Sequence, residues 1–223
     1  MLLAVDTSTS QVGLALYDGE RVLAEMTWTS RAHHTEQVPP ALAELLARSE
    51  VKMAEVQALG AAIGPGSFTS LRVGLSLVKG IALARRIPLI GVPSLDIVAA
   101  AQPLTDLPLA AVLQAGRGRL AVGWYTASEA GWQAQGPATV STVEQLSRKI
   151  KSPTVVCGEL TGDERQRLAR KRINVHLASP AQSIRRPALL AELAWTRWQA
   201  GKSDDPAALA PIYLHIANPI PNA

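Results

Sequence analysis

An apolar run from Ala58 to Ile63 passes directly into Gly64-Pro65-Gly66-Ser67, and the chain then keeps helical, mostly apolar spacing through Ala84. A strand joined to a long helix by so tight a loop is a building unit of α/β folds and limits how the rest can be arranged. Backbone donors at such a loop can cradle an anion where the helix begins. This loop lacks the Gly-Lys-Ser/Thr ending of a P-loop and the spacing of a dinucleotide fingerprint. A turn capped by Ser67 or Thr69 is therefore the simpler reading.

The helix carries more information than the loop. At about 100° per residue, Arg72, Ser76 and Lys79 fall on one narrow polar strip. Leu71, Leu75, Val78 and Ala82 lie on one side of it, and Val73, Leu77, Ile81 and Ala84 spread around the rest. Apolar and small residues thus cover well over half the circumference, against the stripe of about 100° that an ordinary surface helix buries. Gly74 and Gly80 each cost up to about 1 kcal/mol against Ala and permit close backbone approach. Either the helix is buried within its own lobe, or its second face meets another chain.

Strand and helix signals alternate along the remainder, which predicts an α/β class. Residues 2–6 read as a strand ending in the polar turn Asp6-Thr7-Ser8-Thr9-Ser10. Val12, Leu14 and Leu16, then Val22, Ala24 and Met26, alternate on either side of Asp18-Gly19 and predict a hairpin. A three-residue loop with Gly19 at positive φ would set Leu16 opposite Val22 and Leu14 opposite Ala24. Val38, Leu42, Leu45 and Leu46 predict a helix, with Pro39-Pro40 near its first turn. Pro88 to Val92 reads as a strand, and Ser94 as the cap of a helix through Ala101. Two prolines between Gln102 and Pro108 mark a lobe boundary, giving lobes 1–102 and 103–223. In the second lobe, Leu109 to Leu113 and Leu120 to Tyr125 are strand-like around Gly116-Arg117-Gly118. Helices are expected over Thr142 to Ile150, Asp163 to Lys171 and Pro187 to Ala200, and a buried strand over Thr154 to Gly158. The helix 187–200 and the proline-punctuated tail could pack back on the first lobe. No tandem repeat is visible.

Composition narrows the setting. Only 4% of residues are aromatic, so the core must come from Ala, Leu, Val and Ile. No apolar run approaches the roughly 20 residues of a membrane span, and a strand-like start argues against a signal peptide. One cysteine, Cys157, excludes an internal disulfide and fits a reducing, cytoplasmic setting. A net charge of +4 permits an anionic partner without identifying it.

The segment Gly64-Pro65-Gly66-Ser67-Phe68-Thr69-Ser70-Leu71-Arg72, followed by Val73-Gly74 and Lys79-Gly80, resembles the signature of the TsaB (YeaZ-like) family. Its members are partner subunits in bacterial tRNA threonylcarbamoyladenosine synthesis. Leu3 through Thr9, Arg31-x-His33-His34-Thr35, Pro88 to Ser94 and Pro211-x-Tyr213-Leu214 resemble it too. The resemblance is dense in the first lobe and thin in the second. It implies a two-lobed actin-like (ASKHA, ribonuclease H-like) fold and a non-catalytic subunit that binds and activates a TsaD-like enzyme. First-lobe helices would bundle with that partner, so His34, Val38, Leu42, Leu45, Leu71, Leu75, Val78 and Ala82 are the expected interface. The same resemblance implies ATP or ADP and a metal on the partner or at the joint interface. It also implies a TsaE-like ATPase as a further associate, tRNA reached through the complex, and a homodimer when alone.

No catalytic residue is nominated. Among the four histidines, His33 and His34 are adjacent and diverge, while His176 and His215 are isolated, so no metal site is expected. Asp6, Thr7 and Ser8, with Gly64, Gly66 and Ser67, could form a vestigial phosphate loop, or Asp6 could cap its own turn. Gln114-Ala115-Gly116-Arg117 stands where the family pattern has Asp-Ala-Arg, and His215 where it often has arginine. Cys157 sits in an apolar strand, where burial makes a thiol inert. Arg165, Arg170 and Lys171 are candidate RNA contacts on a basic helix, which equally reads as a solvated face. Two other functions therefore stand beside the docking subunit: a self-sufficient actin-like ATPase or kinase dependent on Asp6, and a direct tRNA-binding module.

Overall fold

The structure, a computed structural model, describes residues 1–30 and 33–214. Arg31 and His215, both noted in the sequence, lie outside the described residues. The first sheet is built from β1 (Leu2–Asp6), β2 (Gln11–Tyr17), β3 (Val22–Thr29), β4 (Ala58–Ala62) and β5 (Leu89–Val92), in the order β3-β2-β1-β4-β5. Strands β1 to β3 are antiparallel, and β4 and β5 continue parallel to β1. Every residue of β1 and β4 is buried, because the sheet is covered on both faces. Leu3 and Val5 face α1 (His34–Arg48) and α2 (Phe68–Arg85), whereas Leu2 and Ala4 face α6 (Pro187–Gln199).

The hairpin differs from expectation by two residues. Leu16 pairs with Ala24, Leu14 with Met26 and Val12 with Trp28, and an irregularity after Leu16 sets Tyr17 opposite Val22. Gly19 does take a positive φ of 103°. The longer loop is fixed by Asp18, whose carboxylate accepts from the backbone N–H of Glu20 and Arg21 at 2.9 and 2.7 Å. A shift of two keeps the same side chains on the buried face, so the alternating pattern alone could not distinguish the registers.

Two helix starts also depart from the sequence reading. Helix α1 begins at His34, which puts Pro39 and Pro40 inside it rather than in its first turn. Thr35 and Glu36, the residues four positions earlier whose carbonyls lose their helical donors, are exposed to water. Ser94 does not cap α3 (Ser94–Ala100); Pro93 holds that position, and the Ser94 hydroxyl is engaged by the Gly64 loop. Ser67 caps α2, accepting from Ser70 N–H.

The second sheet repeats the first. Strands β6 (Leu109–Gln114), β7 (Leu120–Ser128), β8 (Gly131–Ala134), β10 (Thr154–Gly158) and β11 (Val175–Leu177) run in the order β8-β7-β6-β10-β11. The first three are antiparallel and the last two parallel to β6, the same plan as β3-β2-β1-β4-β5. Strand β9 (Thr139–Ser141) adds to β7 outside this plan. The duplication is structural, although no tandem repeat is legible in the sequence. Helices α4 (Val143–Lys149) and α5 (Gly162–Ala169) cover one face of this sheet.

The last helix of each half crosses to the other half. Leu95, Val98 and Ala99 of α3 pack with Leu109, Ala111 and Leu113 of β6. Leu190, Ala191 and Ala194 of α6 pack with Leu2, Ala4 and Ala15 of the first sheet. By packing, α3 thus belongs with the second sheet although its sequence position is before the boundary at 102. The two crossing helices also meet each other, so the sheets are joined by interleaved cores as well as by the chain.

Candidate docking groove and interlobe site

The side chains expected at a partner interface point inward. Val38, Leu42 and Leu45 of α1, and Leu71, Leu75, Val78 and Ala82 of α2, are at most 6% exposed. Most of them fill the core over β1, β2 and β4. Within the chain itself these side chains are committed to its own core, although Val38 also lines the groove between α1 and α2. His34 is buried as well, and its Nε2 lies 3.0 Å from the Thr9 carbonyl, tying α1 to the turn after β1. The wide apolar arc of α2 has two halves, and the half containing Leu75 covers the sheet.

The other half borders a groove between α1 and α2 of about 640 Å³, lined by Thr35, Pro39, Phe68, Arg72, Val73 and Leu77, among others. Phe68 is 54% exposed at its rim. The Arg72 guanidinium lies 3.7 Å over the Phe68 ring, and its Nε donates to the Tyr213 hydroxyl at 3.1 Å. Phe68 and Tyr213 stack with centroids 5.1 Å apart. Lys79, on the same polar strip, donates to the Leu209 carbonyl at 2.9 Å. The strip therefore holds the C-terminal segment and leaves an aromatic, cationic rim on the groove.

The six residues of the candidate phosphate loop do converge, but their polar groups are engaged by one another and by neighbouring Ser70, Gly74, Ser94 and Arg185. Ser67 N–H donates to the Ser8 carbonyl at 2.7 Å, and Gly64 N–H to Ser94 Oγ at 3.1 Å. Ser8 Oγ and Ser94 Oγ are 2.6 Å apart. Thr7 Oγ1 donates to the Ser70 carbonyl at 2.7 Å and accepts from Gly74 N–H at 3.2 Å. A Cβ on Gly66 would lie 2.1 Å from the Ser8 oxygen, so only glycine fits there. The loops form an interlock, in which the Gly64 and Ser67 donors are directed into the protein.

Asp6 is the centre of a buried ion-pair cluster. Its Oδ1 accepts from Ser8 N–H at 2.8 Å, the turn-capping role anticipated as one alternative. Its Oδ2 accepts from Arg185 Nε at 2.7 Å. Arg185, which the sequence reading did not single out, is fully buried just before α6. Its Nη1 donates to Glu159 Oε1 at 2.5 Å, and its Nη2 to Thr9 Oγ1 and the Gln11 carbonyl, each at 3.0 Å. Burial alone would lower the Arg185 pKa, but Asp6 and Glu159 outweigh it and keep the guanidinium charged. Gln114, where the family pattern has Asp, donates to the Glu159 carbonyl at 3.2 Å and to Glu164 Oε2 at 2.8 Å. A cleft of about 600 Å³ opens beside this cluster, bordered by Gln11, Trp28, Glu159, Thr161 and Arg165.

Among the described residues, no three His, Cys, Asp or Glu side chains converge as a metal site. Burial pushes the Cys157 thiol up to about 12. Of the candidate RNA contacts, Arg165 donates to the Ala178 carbonyl at 2.7 Å and Lys171 to the carbonyls of Ser147 and Ile150. Both cations serve the fold, and Arg170 alone of the three is exposed.

Residues 21–183 match the family model described as TsaD: tRNA N6-adenosine threonylcarbamoyltransferase. The tRNA threonylcarbamoyladenosine biosynthesis protein TsaB of Escherichia coli (strain K12) is 35% identical over 94 residues, 42% of this chain and 40% of that one. TsaB of Bacillus subtilis (strain 168) is 32% identical over 124 residues, covering 56% of this chain and 54% of its own. The aligned region thus spans about half the length of these curated relatives. The solved structure of YeaZ from Pseudomonas aeruginosa superposes with a TM-score of 0.80 at 25% identity, over 96% of this chain and 99% of that one. The duplicated sheets joined by exchanged helices are an actin-like ATPase fold.

Proposed function

The chain belongs to the family described as TsaD, tRNA N6-adenosine threonylcarbamoyltransferase, as one of its TsaB (YeaZ) members, and on that premise we propose that it is a docking subunit rather than the transferase itself. Its partner is a TsaD-like catalytic subunit, which it binds and activates in threonylcarbamoyl transfer to tRNA adenosine. The observation that carries this reading is the groove between α1 and α2, with apolar walls at Val73 and Leu77 and an exposed aromatic at Phe68. Buried aromatic and arginine anchors in a pocket dominate the energetics of protein interfaces, and the Phe68, Arg72 and Tyr213 cluster supplies that chemistry.

The interlobe cluster supports the same division of labour. Glu159, which borders the cleft, and the buried Asp6 are both bonded to Arg185. Recruiting either to a nucleotide-bound cation would strand a buried charge, which is costly. Nucleotide and metal are accordingly assigned to the partner or to the joint interface. A homodimer through the same groove when the partner is absent, a TsaE-like associate and a cytoplasmic setting complete the proposal. Among the described residues, no helix is long and apolar enough to cross a membrane.

The test is Leu77→Asp, alone and with Phe68→Ala, mixed with the cognate TsaD-like protein. Phe68 is exposed and Leu77 is half-buried against the first core, so the variants should lose about 1–3 kcal/mol, remain folded at low temperature and fail to form the complex. Retention of the complex by the folded double variant would remove the groove from the proposal.

A further inference from the structure

The positive charge of this protein is concentrated where two helices end together. Residues 148–172 hold eight Lys and Arg against three Asp and Glu. The end of α5 rests on the end of α4, because Lys171 Nζ donates to the Ser147 and Ile150 carbonyls. Asn174 Nδ2 donates to the Lys151 carbonyl at 3.1 Å and closes the same corner. Segments some twenty residues apart thereby bring Arg148, Lys149, Lys151, Arg170 and Arg172 to one exposed edge. None of these five has a carboxylate within salt-bridge distance among the described residues, whereas Arg167, one turn back, pairs with Glu144. Lys149 Nζ lies 5.0 Å over the Trp124 ring, and Ile173, in the turn after α5, is 84% exposed.

One cation at each helix C-terminus is accounted for by the helix dipole. Five unpaired cations at one corner exceed that need, and their mutual repulsion opposes folding unless an anion comes to them. We propose that this corner contacts the phosphate backbone of RNA, with tRNA as the ligand class. The choice of RNA over an acidic protein rests on the pathway reading given above. It also rests on the makeup of the corner, which is cationic with one isolated apolar side chain and resembles a backbone-tracking surface more than a hydrophobic hot spot. The corner is made from α4 and α5, whereas the docking groove is made from α1 and α2. A single subunit could thus hold its partner with one lobe and the tRNA with the other.

The experiment measures binding of an unmodified tRNA transcript to the purified full chain by fluorescence anisotropy between 50 and 200 mM salt. About four phosphate contacts predict an affinity loss of about 10²-fold across that range. Combined replacement of Arg148, Lys151, Arg170 and Arg172 by Glu should abolish binding, and Arg170→Gln alone should reduce the salt slope by about one. Lys52→Glu with Lys202→Glu changes the charge away from the corner and should leave most of the affinity. The fourfold variant should keep its melting temperature within a few degrees and still bind the TsaD-like partner, which separates this proposal from the docking one. No binding at 50 mM salt, or equal binding by the fourfold and control variants, overturns it. Equal or tighter binding to vesicles containing phosphatidylglycerol or to a poly-glutamate peptide overturns it too, by identifying a membrane or acidic-protein surface instead.

Discussion

Arg185 shows what a single residue can contribute in this fold. It reaches Asp6 across 179 positions of sequence and Glu159 across 26, and with Thr9 it binds the turn after β1 to the end of β10. Truncating one partner of a buried pair leaves the other charges unpaired, so Arg185→Met should destabilise the protein by about 3–5 kcal/mol. Urea unfolding followed by circular dichroism measures this; a loss under about 1 kcal/mol would mean that the cluster is hydrated rather than sealed. Cys157 gives a second residue-scale prediction. Fully buried and with its pKa pushed up to about 12, it should resist an aromatic disulfide reagent at pH 8 and react in full once urea unfolds the chain. Rapid labelling of the native protein would contradict its placement. The turn cap at Asp6 and the helix cap at Ser67 were legible in the sequence because both are local, whereas the contacts of Ser8 and Gly64 with Ser94 were not. Arg185 was not, because nothing in Ile184-Arg185-Arg186-Pro187 distinguishes the buried arginine from its exposed neighbour.

At the scale of the element, periodicity revealed the width of the apolar arc on α2 but not which half is internal. That depends on where the sheet lies, which no spacing within the helix encodes. Gly74 and Gly80 illustrate the same limit, since both were read as close approaches. A Cβ on Gly74 would meet Thr7 Oγ1 at 2.3 Å, whereas one on Gly80 would meet nothing within 4 Å. Gly74→Ala should therefore cost about 1–3 kcal/mol through forced displacement of the β1 turn. Gly80→Ala should stabilise the exposed helix interior by about 0.5–1 kcal/mol. Thermal unfolding of the two variants separates them by sign, and equal effects would refute the packing described for α2. The hairpin follows a related rule. Its strands were legible from alternation, and its register was not, because the Asp18 carboxylate selected the turn.

Over the whole molecule, the α/β class was legible from the alternation of strand and helix runs, and the division into lobes was read from the prolines of the Gln102–Pro108 stretch. The repeated β3-β2-β1-β4-β5 plan was hidden because β8 and β11, the edge strands of the second sheet, are only four and three residues long and partly exposed. The exchange of α3 and α6 was hidden too, since either helix presents an apolar face that suits any sheet. With the lobes joined by that exchange and by Arg185, the docking proposal falls on the outer side of α1 and α2, where Phe68 is exposed. The most direct test compares two leucines two positions apart on α2, using sedimentation velocity with the TsaD-like partner and thermal unfolding of each variant alone. Leu77→Asp, at a half-buried position, should stay folded at low temperature and sediment as a free subunit. Leu75→Ala, in the core, should lose about 2–5 kcal/mol of stability yet still form the complex at low temperature. The reverse pattern, with a complex formed by Leu77→Asp and lost by a folded Leu75→Ala, would contradict the docking face assigned to this protein.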